Sequence, residues 1–104
     1  MKSEARIQNE IRIALSQAGY VVFRSNVGKV KLEDGRYFDT GLPKGHSDLY
    51  GFRPDGQIFY IEVKDHRGRL RKEQVTFLDT MKKRGALTGV ARSVEDALRI
   101  AKGE

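Results

Sequence analysis

The stretch that decides the fold reads Asp48-Leu-Tyr-Gly-Phe52, then Arg53-Pro-Asp-Gly56, then Gln57-Ile-Phe-Tyr-Ile-Glu-Val-Lys64. Its outer pieces are rich in β-forming residues, and Pro54-Asp55-Gly56 between them is a turn signal. Strand side chains alternate faces. Phe59, Ile61 and Val63 therefore point one way, into a core, while Ile58, Tyr60, Glu62 and Lys64 point the other. An acid and a base thus share one face, two residues apart, at the end of an otherwise apolar strand. If the two strands pair across the turn, the start of one lies beside the end of the other, and Asp48 comes close to Glu62 and Lys64.

Upstream, a helix is expected from about Glu4 to Ala18, with Ser3 as N-cap and Gly19 as its stop. Ile7, Ile11, Leu15 and Ala18 recur at helical spacing as its buried stripe. Two polar residues fall on that face: Glu4 projects between Ile11 and Leu15, and Gln8 lies beside Leu15. Tyr20 to Ser25 reads as a strand. Val30-Lys-Leu32 and Arg36-Tyr-Phe38 flank Glu33-Asp34-Gly35 as a hairpin or loop excursion, and Thr40 to Ser47 is a loop.

Downstream, Asp65 to Arg69 is a basic loop. A second helix is expected from about Arg71 to Arg84, with Leu70, Phe77, Leu78 and Met81 on its apolar side and Gln74 in their midst. Leu87 to Ala91 is a last strand. Ser93-Val-Glu-Asp96 loosely matches a capping box and opens a short helix through Ala101. The order, apart from the excursion, is one helix, three strands, then helix, strand, helix, in a single domain spanning 1–104.

Size and composition narrow the class. A chain of 104 residues supports one two-layer core. With no Cys and only two His, neither disulfides nor a thiolate or all-protein zinc cage is available. The N-terminus carries no apolar leader and no apolar run approaches the roughly 18 residues a membrane span needs, so a cytoplasmic protein without membrane partners is expected. A net charge of +6 and a pI near 9.8 suit a polyanion, although many small domains are basic for solubility alone.

Two carboxylates held together repel unless a cation lies between them. Oxygen donors suit Mg²⁺ or Mn²⁺, with water and phosphate filling the remaining positions. Such an ion acidifies water and polarises a phosphoryl oxygen, and the Lys64 ammonium can orient the attacking oxygen and offset developing charge. These are the parts phosphodiester hydrolysis needs.

The arrangement resembles the PD-(D/E)xK nuclease signature: Ser47-Asp48, thirteen intervening residues, then Glu62-Val63-Lys64. Glu-x-Lys alone is weak; the strand alternation, the preceding Asp48 and the element order give it weight. Gly45-His-Ser-Asp-Leu-Tyr-Gly51, Ile61-Glu-Val-Lys64, Gly68-Arg-Leu70 and Gln74-Val-Thr-Phe77, with Glu4-Ala-Arg-Ile-Gln8 and Phe23-Arg-Ser-Asn26, are similar to the virus-type replication-repair nuclease (VRR-NUC) family in a minimal stand-alone form.

That resemblance implies an α/β (α+β) restriction-endonuclease-like αβββαβ core, its mixed central sheet flanked by helices. It implies a metal-dependent DNA endonuclease of phage or bacterial type. Branched DNA, Holliday-junction-like or flapped, is the expected substrate, and a homodimer the expected assembly. Asp48, Glu62 and the Val63 carbonyl are expected to ligate the ion and Lys64 to position or activate the water. Glu4 is expected among the ligands, and Gln74 and Gln8 about the site; Ser47 stands where the family has Pro.

Plainer readings stand beside these. Asp48 alone could cap a strand, and Glu62 with Lys64 could be a surface ion pair of little weight. Glu4 suits a helix start through the dipole alone, and Gln8 suits a boundary position. His46 could touch phosphate or simply face solvent. Arg24, Lys29, Lys31, Lys44, His66, Arg67, Arg69, Arg71 and Lys72 are candidate phosphate contacts, with the cluster from His66 to Lys72 foremost because it follows the catalytic strand. The rival functions are an inactive nucleic-acid-binding module with a nuclease-like fold and a basic structural domain that docks a protein. A sequence-reading restriction enzyme is disfavoured by the shortness of the chain.

Overall fold

Ser3 opens the first helix, α1 (Glu4–Gln17): its hydroxyl accepts the Arg6 amide at 3.2 Å in this computed structural model, which describes residues 1–104. That bond satisfies one of the donors every helix start leaves free. Gly19, at φ +89°, turns the chain out of the helix into β1 (Val21–Arg24). Ile7, Ile11 and Leu15 are buried as the spacing predicts. Ala18 is exposed instead, because α1 ends at Gln17 and Ala18 is its C-cap, where the stripe no longer runs. Glu4, the first residue of the helix, is also exposed.

The excursion is a hairpin, β2 (Lys29–Lys31) and β3 (Tyr37–Asp39), whose strands pair only with each other. The chain then returns to β4 (Leu49–Phe52), turns at Pro54–Gly56, and continues as β5 (Ile58–Val63). Helix α2 (Lys72–Lys83) leads to β6 (Leu87–Ala91), and α3 (Val94–Lys102) follows, capped by the Ser93 hydroxyl on the Asp96 amide.

The central sheet runs β1-β4-β5-β6. The first two pairings are antiparallel and the last is parallel, as a helical crossover through α2 requires. Helices α1 and α3 cover one face, where Ile11, Leu15, Leu49, Phe59, Ile61 and Val63 are fully buried. Each such side chain contributes roughly 1.5–3 kcal/mol, against about 0–1 kcal/mol for an exposed ion pair. This layer therefore fixes the fold, and the surface charges do not. Helix α2 covers the other face through Gln74, Phe77 and Leu78.

Two glycines mark where backbones must touch. A Cβ at Gly51 would lie 2.0 Å from the Val21 carbonyl oxygen and 2.7 Å from the Phe59 ring. Gly45, at φ +96°, presses the loop before β4 onto α2, where a Cβ would sit 2.5 Å from the Glu73 carbonyl oxygen. No helix is long and apolar enough to cross a membrane.

Candidate active site

The pairing of β4 with β5 sets Leu49 opposite Ile61, so the next step along the ladder sets Asp48 against Glu62. The two acids lock the strand ends together reciprocally. The Asp48 amide donates to Glu62 Oε1 at 3.1 Å, and the Val63 amide donates to Asp48 Oδ2 at 2.8 Å. On the outer side, the Ser25 amide donates to the Asp48 carbonyl at 2.8 Å. Asp48 is thus held from both neighbouring strands.

Glu62 is 1% exposed, and its Oε2 is buried without a hydrogen-bond partner. Burial, then the nearness of Asp48, pushes its carboxyl up to about 8, with Lys64 opposing. An unpartnered buried oxygen costs free energy. With a second carboxyl beside it, the pair suits either a shared proton or a cation between them. No third Asp, Glu, His or Cys completes a cluster with them. The donors present are therefore few and all oxygen, which fits an ion that keeps water and phosphate in its shell and does not fit a closed protein cage.

Lys64 continues the Glu62 face, half-buried, at the end of β5. Its stem runs beside Gly68, where a Cβ would meet Lys64 Cδ at 3.0 Å. The loop after it is bonded to itself: Asp65 accepts the Arg67 and Gly68 amides at 2.9 and 2.7 Å, which lowers its carboxyl below the usual range. Arg92, from the end of β6, donates to the Asp65 carbonyl and, at 2.8 Å, to the Gly68 carbonyl. Sequence reasoning missed Arg92 and the Ser25 amide, since both act across strands far apart in the chain.

The structure brings Asp48, Glu62, Val63 and Lys64 together and separates others from them. Glu4 does not join the carboxylate pair. Being exposed, it has no buried charge that the site must satisfy. Gln8 is half-buried on α1, on the far face of the sheet. Gln74 is buried, yet its Oε1 accepts the Arg71 amide at 2.8 Å, capping the start of α2, so its burial is explained without the site. The Arg71-x-x-Gln74 spacing is that of a capping box, obscured because Arg71 stands where Ser or Thr is usual.

His46 is no solvated loop residue. Its ring packs edge-on against Phe77 at 4.5 Å between centroids, with Tyr60 at 5.8 Å and Tyr50 at 5.9 Å. Ser47 is buried, and its Oγ donates to the Leu49 carbonyl at 2.8 Å. Arg24, Lys44, His66, Arg67, Arg69, Arg71 and Lys72 are all exposed. Of these, Lys44 and Arg71 lie 3.7 and 4.0 Å from Glu73. The loop carrying His66, Arg67 and Arg69 leaves the same end of the sheet as Glu62 and Lys64.

A solved structure described as a VRR_NUC domain superposes with a TM-score of 0.68 at 22% sequence identity, covering 97% of each chain. At that identity it establishes the fold, a restriction-endonuclease-like mixed sheet flanked by helices. No curated protein matches the chain at significance. The model of the VRR-NUC domain matches residues 2–95, nearly the full length. The chain belongs to the VRR-NUC family of nuclease domains.

Proposed function

We propose that residues 1–104 act as one divalent-metal-dependent endodeoxyribonuclease domain that hydrolyses phosphodiester bonds in branched DNA, four-way or flapped, as a homodimer. The observation that carries the reading is the buried Glu62 carboxyl beside that of Asp48, with its Oε2 left without a hydrogen-bond partner. Asp48, Glu62 and the Val63 carbonyl would hold Mg²⁺ or Mn²⁺. When bound, the ion supplies Lewis-acid activation of phosphate and water.

The chain's own residues do the rest. Glu62, driven toward its protonated form by burial and by Asp48, would release its proton to solvent when it holds the cation. Lys64, on the same face of β5, offsets the negative charge that grows on the phosphate and orients the attacking oxygen. Exposed His66, Arg67, Arg69, Arg71 and Lys72 meet the DNA backbone near the cut, an affinity that carries little sequence information. The β2–β3 hairpin supports the dimer. Val30, Leu32, Tyr37 and Phe38 are 50, 41, 64 and 58% exposed, and a lone two-stranded hairpin is marginal without cover. Two copies would place two sites about a two-fold axis, matching a four-way junction.

The test is a cleavage panel on four-way, flapped and linear duplexes, with Mg²⁺, Mn²⁺ or chelator. Wild type is expected to cut branched substrates only with metal, and Asp48→Ala and Lys64→Ala to lose at least ~10²-fold while staying folded. Full activity in Asp48→Ala refutes the residue roles, and equal cutting of linear duplex refutes the branch preference. Salt-dependent DNA binding without cleavage leaves the inactive binding module. Sedimentation velocity reads the dimer, and a monomer at all concentrations removes it.

A further inference from the structure

Four backbone groups frame Asp48, and all four are occupied. The Asp48 amide goes to Glu62 Oε1 and its carbonyl takes the Ser25 amide. The Ser47 carbonyl accepts from His46 Nδ1 at 2.8 Å, and the Leu49 carbonyl accepts from Ser47 Oγ at 2.8 Å. The last two bonds come from side chains that touch neither carboxylate. They clamp the chain on both sides of Asp48, before it and after it.

The clamp is itself anchored. The His46 ring is wedged against Phe77 of α2 and the two tyrosines of β4 and β5. Gly45 before it has its backbone pressed onto Glu73. Ser47 is 1% exposed, so water does not compete for its hydroxyl. Because a carbonyl can only accept, His46 Nδ1 carries the proton in this contact.

We infer that His46 and Ser47 are positioning residues for a divalent-cation site: His46 ties the chain before Asp48 to helix α2 and Ser47 fixes the entry into β4, so that the Asp48 carboxylate stays opposite Glu62. This rests on the reading of Asp48 and Glu62 as metal ligands and adds to it two residues that contact no ion. Groups that orient ligands in this way typically cost 10–100-fold in metal affinity when removed.

The experiment is calorimetric titration of Mn²⁺ into the full chain without DNA, well below its melting temperature. The variants are His46→Phe, which keeps a ring against Phe77 but lacks the Nδ1 donor, and Ser47→Ala, which loses only the hydroxyl. Ser47→Thr restores a hydroxyl. Ile100→Val, in α3 away from the site, controls for general loss of stability. His46→Phe and Ser47→Ala are each expected to weaken Mn²⁺ binding at least ~10-fold, Ser47→Thr to recover most of it, and Ile100→Val to leave it unchanged. If one of the first two variants does not fold, the other decides. Wild-type affinity in the folded variants, no recovery in Ser47→Thr, or an equal loss in Ile100→Val overturns the inference. No Mn²⁺ binding by wild type overturns the metal reading itself, a distinguishable result.

Discussion

Two hairpins of this molecule meet opposite fates. β4–β5 lies inside a four-stranded sheet with helices on both faces, and four residues of β5 are buried. β2–β3 stands outside that sheet, and all six of its strand residues are exposed. Both are antiparallel and both carry β-formers, Val30, Tyr37 and Phe38 in the outer one, so local propensity alone does not decide their fates. What separates them is whether an apolar face finds a partner. The carboxylate pair sits on the covered hairpin, where low exposure holds Glu62 against Asp48. The same acids on the exposed hairpin would be solvated and idle.

The contrast can be broken most forcefully at Phe59. Its ring fills the covered hairpin's core and meets Tyr20 at 6.2 Å, so Phe59→Ala is expected to lose about 3–5 kcal/mol in urea unfolding. Gly51→Ala comes next, at about 1–3 kcal/mol, because its new methyl has no space between Val21 and Phe59. A loss under ~0.5 kcal/mol there would mean that β1 sits less tightly on β4 than described.

The third test is pH. Glu62 titrates near 4.5 when unfolded and near 8 when folded. The folded chain therefore binds more protons between those values, and stability falls as pH rises through that window. The carboxyls held low, at Glu10, Asp55, Asp65 and Glu73, act only below it. Chelated protein should melt lower at pH 8 than at pH 5, a difference readable because about 1 kcal/mol moves Tm by roughly 4–8 °C. Glu62→Gln should flatten the profile, and Mn²⁺ should raise the pH 8 value. A flat wild-type profile would mean that Glu62 is solvated. Smallest of all, Phe38→Ala on the exposed hairpin should shift monomer stability by no more than ~0.5 kcal/mol, and a core-sized loss would show that the hairpin is covered after all.

Much of this was readable from the residues. Strict alternation in Ile58–Val63 and the Pro54–Gly56 turn are short-range signals, and they set both the register and the meeting of Asp48 with Glu62. Glu4 and Ala18 fall on the wheel's apolar side yet are exposed, because a helical wheel has no ends and these two stand at the ends of α1. Gln74 was rightly marked as buried, but its partner is the Arg71 amide, a cap hidden by an unusual first residue. The excursion was legible as a hairpin and its isolation was not, since sheet membership depends on residues far along the chain. The ring of contacts around His46 joins three elements and leaves no trace in spacing.

The placement of the β2–β3 hairpin has an engineering consequence. It leaves the main sheet after Ser25 and returns before Asp48, two residues already joined by a hydrogen bond at its root. Its tip, Gly35, is open on all sides at φ +87°. Exposed loop tips of this kind tolerate breaks and insertions best. Cleaving the chain at Gly35 would leave Asp48, Glu62, Val63 and Lys64 on one fragment and α1 with β1 on the other, a natural split for reassembling the protein from two pieces on demand.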